Sequence, residues 1–114
     1  MPYIKIETNK KLTSGDFSEK MKRVSEFISQ LLDKPEKWVM VAITTNIAML
    51  YAGIKHPTAF VELKSIGLEK DRCPEYSKAI CDFLAVQFEI PAERVYIEFV
   101  DIDRKMFGWN SGTF

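Results

Sequence analysis

Few residues of this 114-residue chain can do chemistry at neutral pH, and the first of them is Pro2. A methionine followed by a small residue is normally trimmed in the cell, and removal of Met1 leaves a secondary amine on a rigid ring. An ordinary α-amino group titrates at about 7.7–8.0; burial disfavours its charged form, and a neighbouring cation lowers the pKa further. Such a nitrogen is a general base near neutrality. With Met1 in place the same nitrogen is an amide without a basic lone pair. Lys34 is a cation able to act on the amine if the fold brings the two together; alone it reads as a solvated surface lysine. Tyr96 and Glu98 stand two apart in VYIEFV and so share one face of a strand. Cys73 and Cys81, eight apart on one helix, lie about 12 Å apart along its axis, too far to bridge. His56, the single histidine, precedes Pro57 and reads as a loop residue, so zinc has no ligand set. The chemistry these residues offer is that of an amine base, with no zinc site beside it.

Composition narrows the partners. Sixteen basic residues balance sixteen acidic ones, so no net field draws the chain to nucleic acid or to an anionic membrane. Nor does an aromatic RNA-binding strand motif or a basic face appear. No apolar run approaches the roughly 18 residues that span a bilayer. PYIKIETNKK lacks the apolar stretch of a signal peptide, and the expected location is cytoplasmic. Residues 1–114 make one domain with one core.

The elements that must position Pro2 and Lys34 follow from periodicity. Residues 2–8 alternate Ile4 and Ile6 with Lys5 and Glu7, as in a half-buried strand. Thr13, Ser14 or Asp16 can cap a helix whose apolar face is Phe17, Met21, Val24, Ile28, Leu31 and Leu32, stopped by Pro35. Trp38 to Thr45 reads as a strand covered on both faces, and 46–57 as irregular. Thr58 to Ser65 alternates as a strand. Pro74 suits a first helical turn, Tyr76, Ala79, Ile80, Phe83, Leu84 and Phe88 form the stripe, and Pro91 stops it. Val95 to Val100 is the last strand, with Val95, Ile97 and Phe99 facing the helices; the tail is aromatic and glycine-containing.

The order is βαββαβ, and a constant shift of 56 residues superposes the halves. Ile4 meets Phe60, Val24 meets Ile80, Phe27 meets Phe83, Ile28 meets Leu84 and Leu32 meets Phe88. Pro35 meets Pro91, Val39 meets Val95, Val41 meets Ile97 and Ile43 meets Phe99. The expected fold is α+β: an internal duplication giving a four-stranded mixed sheet with two helices on one face. The other face would carry Tyr3, Met40, Ala42, Thr44, Tyr96 and Val100, too apolar for water, so an oligomer joined through its sheets is expected. Parallel strands joined by a crossover put Pro2 and Lys34 at the same end of the sheet.

Met1-Pro2, Asp33-Lys34-Pro35, Ser65-Ile66-Gly67, Arg94-Val95-Tyr96-Ile97, Phe107-Gly108-Trp109-Asn110 and terminal Thr113-Phe114 together bring a family into view. Over essentially its whole length the chain resembles the macrophage migration inhibitory factor and D-dopachrome tautomerase family of the tautomerase superfamily. That resemblance implies a homotrimer with three active sites at subunit interfaces, and keto–enol interconversion of small aromatic α-keto acids such as phenylpyruvate, without cofactor or metal. It implies Pro2 as catalytic base, Lys34 binding a carboxylate or carbonyl oxygen, and Ile66 donating its backbone N–H. It further implies Tyr96 supplied by a neighbouring subunit, and Phe107, Trp109 and Phe114 walling an aromatic pocket. Without the resemblance, Phe107 and Trp109 read equally well as core.

Two departures stand out. Glu98 occupies a position where animal relatives usually have asparagine, and an ionised carboxylate there opposes an anionic substrate and raises the amine's pKa. Weaker phenylpyruvate turnover, or another substrate, is expected. Thr58-Ala59-Phe60-Val61 replaces the C-x-x-C of animal relatives, so thiol–disulfide chemistry has no residues to carry it. The alternative is a binding or signalling protein with a vestigial pocket. A hydratase, dehalogenase or decarboxylase needs arginines around the proline, for which Arg72 is the obvious candidate.

Overall fold

Side chains alternate along a strand, and in the first one, β1 (Tyr3–Thr8), Ile4, Ile6 and Thr8 are buried while Tyr3, Lys5 and Glu7 are half-exposed. The computed structural model describes residues 1–114. After β1 come α1 (Ser14–Leu32), β2 (Met40–Thr44), β3 (Ala59–Ile66), α2 (Cys73–Phe88), β4 (Val95–Ile102) and a closing hairpin of β5 (Gly108–Trp109) and β6 (Gly112–Thr113). The main sheet runs β2-β1-β3-β4; β1 is parallel to β2 and antiparallel to β3, and β3 is parallel to β4. This is the α+β architecture expected, with both helices packed on one face. No helix is long and apolar enough to cross a membrane.

The helices are held by the stripes that periodicity marks. Val24 and Ile28 of α1, and Tyr76, Ile80, Leu84 and Phe88 of α2, are buried against Ile4, Ile6, Val61 and Leu63. Phe27 and Phe83 stack with ring centres 4.3 Å apart, joining the helices. Both helices end alike: Asp33 and Glu89 adopt left-handed caps, and Pro35 and Pro91 then start short 3-10 turns leading into the second strand of each unit. Proline cannot continue a helix, so it restarts the chain at the same place twice.

Three expectations are corrected. The 56-residue shift fails in the first strands: Ile4 is buried under the helices, whereas Phe60 lies half-exposed on the open face. The packing counterpart of Ile4 is Val61, one residue on, because parallel partners are one residue closer in sequence in the second unit: Ile4 pairs with Val41, and Val61 with Ile97. The Trp38–Thr45 strand starts only at Met40, since residues 36–38 form the 3-10 turn. Nor is it covered on both faces: β2 is an edge strand, with Ile43 buried and Met40 65% exposed. Finally, the open face is less apolar than expected. Tyr3, Met40, Phe60, Tyr96 and Val100 share it with Lys5, Glu7, Glu62, Lys64 and Glu98, because the two central strands place their polar alternates there. Lys5 and Glu62 face each other at 4.0 Å.

Residues 46–57 are organised around one cation. Tyr51 and Ile54 bridge a tight turn through Ala52 and Gly53, both in the left-handed region. The Arg94 guanidinium donates to the carbonyls of Pro57 (2.9 Å), Ile54 (2.9 Å), His56 (3.1 Å) and Tyr51 (3.3 Å), and lies 5.1 Å from the Tyr51 ring centre.

Candidate functional site

Pro2 is fully buried at the start of β1, and its carbonyl accepts the Met40 N–H at 3.0 Å, tying the N-terminus into the sheet. Around it opens a cavity of about 320 Å³. Met1, Pro2 and Tyr3 form one wall, and Phe107, Gly108, Trp109 and Phe114 another; Lys37, Trp38, Lys64 and Ile102 also line it. The aromatic wall is self-packed. Trp109 stacks on Phe114 at 5.5 Å, Trp38 meets Trp109 edge-on at 4.9 Å, and Phe107 meets Phe114 edge-on at 5.5 Å. The β5–β6 hairpin, turned by Asn110 and Ser111 in left-handed conformations, brings Phe114 back so that its N–H donates to the Phe107 carbonyl at 3.1 Å.

Lys34 follows the helix cap of α1 and reaches across the end of the sheet. Its Nζ donates to the Ile66 carbonyl at 2.6 Å. The α-amine, which here belongs to Met1, is lowered from an ordinary 8.0 to about 6, first by burial and then by the charges of Lys34 and Arg104. The Lys34 ammonium is also pushed down, by burial and by Arg104, with Asp101 opposing. An amine in this place is mostly neutral at pH 7, and a neutral amine accepts a proton. Low-dielectric walls strengthen any charge interaction inside the cavity.

Of the residues singled out from sequence, Pro2, Phe107, Trp109 and Phe114 come together around this cavity, with Lys34 and Ile66 joined to each other by the 2.6 Å bond. Tyr96 and Glu98 do not join them within one chain. Both are exposed on the open face of β4, where Tyr96 meets Tyr51 edge-on at 5.2 Å. Arg72 is also elsewhere, at the start of α2, paired with Glu69 and Glu75; the arginine near the amine is Arg104, just before Phe107. Sequence reasoning missed Arg104, Lys37, Trp38 and Lys64. Trp38 carried one usable signal: it stands three residues after the helix-stopping Pro35, where a closing turn (Trp38 N–H to Pro35 carbonyl, 3.1 Å) aims it back at the strand start. No group of three or more His, Cys, Asp or Glu side chains gathers anywhere.

Comparison with known proteins agrees with this geometry. The family model described as macrophage migration inhibitory factor matches residues 1–114. Macrophage migration inhibitory factor homologues of Brugia malayi and Trichinella spiralis are each 35% identical over 115 residues, covering 100% of this chain and 99% and 100% of theirs. The solved homologue from Prochlorococcus marinus superposes with a TM-score of 0.89 at 35% identity over 98% of both chains. That from Trichinella spiralis superposes with 0.89 at 32% identity, over 98% of this chain and 99% of its own. The chain belongs to the macrophage migration inhibitory factor family.

Proposed function

We propose that the chain is a cofactor-independent keto–enol tautomerase of phenylpyruvate-type α-keto acids, an isomerase whose base is the Pro2 nitrogen once Met1 is removed. The observation that carries this reading is Pro2 itself, buried at the chain end in an aromatic-walled cavity where burial and the Lys34 and Arg104 charges disfavour a protonated amine, as they do for the Met1 amine beside it. The proline nitrogen takes a proton from C3, the methylene carbon next to the keto group, and returns it to the keto oxygen as the C2–C3 double bond forms; the reverse transfer runs enol to keto. Lys34 holds the carboxylate or the carbonyl oxygen, the Ile66 N–H adds a donor, and Phe107, Trp109 and Phe114 pack the ring and exclude water.

The working unit is a cytoplasmic homotrimer, supported by the partly apolar open face of the sheet. Tyr96 and Glu98, exposed on that face, then enter a neighbour's cavity. A second reading is a binding or signalling protein that keeps the trimer while its pocket is vestigial, and it is favoured by Glu98, whose carboxylate opposes an anionic substrate if a neighbour supplies it to the cavity.

Intact mass decides whether Met1 is present, and a phenylpyruvate assay on the processed protein and on Pro2→Gly decides the rest. Loss of a general base is expected to lower kcat by about 10²–10⁴-fold. Equal turnover by both proteins refutes the proline mechanism, and no turnover of any α-keto acid by processed protein favours the binding reading.

A further inference from the structure

The charge in the cavity is one-sided in a chain with as many acids as bases. Lys37, Lys64 and the terminal amine line it, Lys34 and Arg104 depress the amine from close by, and no Asp or Glu is among the walls. One nearby carboxylate, Asp101, offsets part of the Lys34 charge from outside the walls. Asp101 accepts from the Gly67 and Leu68 N–H groups, Asp103 from the Lys105 N–H, and Glu62 faces Lys5. Lys64 and Arg104 make no side-chain hydrogen bond or ion pair, while Lys37 lies over the Trp38 ring. Even with one Glu98 supplied by a neighbouring subunit and Asp101 acting on Lys34, four cations (Lys34, Lys37, Lys64 and Arg104) face two carboxylates.

The cations also come from different parts of the fold: Lys64 lines the cavity itself, whereas Lys34 acts on the amine from outside the lining residues. Lys34 comes from the end of α1, on the helix side of the sheet, and bonds the Ile66 carbonyl. Lys64 sits on β3 opposite Tyr3 in register, so alternation puts it on the open face with Tyr3 and Val100. A single carboxylate held by Lys34 leaves Lys64 unpartnered and half-buried. An ammonium with no protein partner at the edge of a cavity offers an anion a charge-assisted hydrogen bond.

We infer that this cavity is built for a dianionic keto acid, one acid group taken on the Lys34 side and a second held by Lys64 on the open-face side. Lys64 is then a specificity-determining residue, and Arg104 reinforces the Lys34 side. This rests on the tautomerase reading only for its rate measurements.

The test compares phenylpyruvate with its para-carboxylated analogue on Met1-processed protein. The analogue is expected to show a kcat/KM roughly 10- to 100-fold higher, the range for a hydrogen bond to a charged group. Lys64→Met should lower kcat/KM for the analogue about tenfold more than for phenylpyruvate, and Lys64→Arg should restore the ratio. Equal kcat/KM for the two acids, or equal losses in Lys64→Met, overturns the inference. If neither acid turns over, the tautomerase reading fails, and the same pair is compared by quenching of tryptophan fluorescence. Tighter binding of the analogue that Lys64→Met abolishes then upholds the dianion inference, and equal affinities overturn it.

Discussion

The amine end of the first βαβ unit and the matching end of the second share a backbone plan and are filled in opposite ways. Under the 56-residue shift Lys34 corresponds to Ile90 and Trp38 to Arg94, while in the first strands, where the shift is 57, Pro2 corresponds to Ala59, with Thr58 just before it. Thr58 is buried; its N–H donates to the Asn9 side chain at 2.9 Å and its hydroxyl to the Arg94 carbonyl at 2.6 Å. Ile90 is wholly buried, and Arg94 spends its guanidinium on four backbone carbonyls. Where one unit leaves an amine, a reaching lysine and a cavity, the other has a hydrogen-bonded plug. A duplicated unit thus needs only a few exchanged side chains and a chain end to separate an edge that opens into a cavity from one that is filled.

The comparison is broken most severely by making the first end as inert as the second. An alanine inserted between Met1 and Pro2 keeps the proline nitrogen an amide whatever is trimmed. Phenylpyruvate turnover is expected to fall by about 10²–10⁴-fold; survival of kcat would assign the base to another group. Next in size is unplugging the sealed end. Arg94→Met removes a charged donor from four carbonyls and should cost about 3 kcal/mol in denaturant unfolding, with the pH dependence of activity unmoved. A variant as stable as wild type would show the clamp to be idle.

Lys34→Met tests the reaching lysine. KM for phenylpyruvate is expected to rise about 10- to 100-fold. The pH profile carries a second signal, and its sign follows from the cation. A protonated amine is no base, so kcat/KM should climb as pH rises through the amine's pKa, in the region of about 6 for an amine in this place. Loss of the Lys34 charge makes protonation easier, so that limb should move to higher pH, and a limb that stays put would mean burial alone sets it. The smallest effect belongs to Glu98→Asn, for which removal of one carboxylate should raise kcat/KM for phenylpyruvate by about two- to fivefold, the scale of a partly solvated ion pair. No change would remove Glu98 from the pocket.

What could be read from residues alone divides by range. The helices, their stripes and the double Pro stops were legible because 3.6-residue periodicity and proline stereochemistry are local. The repeat marks Phe27 and Phe83 as equivalent positions, but their stacking is visible only in the structure. The parity of the first strands was not legible, since Ile4 and Phe60 match as apolar residues and only burial tells that they face opposite ways. Phe107, Trp109 and Phe114 were named through family resemblance, while Trp38, Lys64 and Arg104 were missed. Their convergence depends on a 3-10 turn, a sheet register and a hairpin fold-back, none of which leaves a periodic trace.

The bond from the Met40 N–H to the Pro2 carbonyl has a consequence for how the molecule is made. An aminopeptidase must draw the first residues, extended, into its own cleft. In the folded chain residue 2 is buried and residue 3 is already paired in the sheet. Excision of Met1 therefore belongs to the nascent chain, before the first strand finds its partners. Molecules that fold with the methionine still attached would keep it, and activity per molecule would record how trimming and folding competed during synthesis.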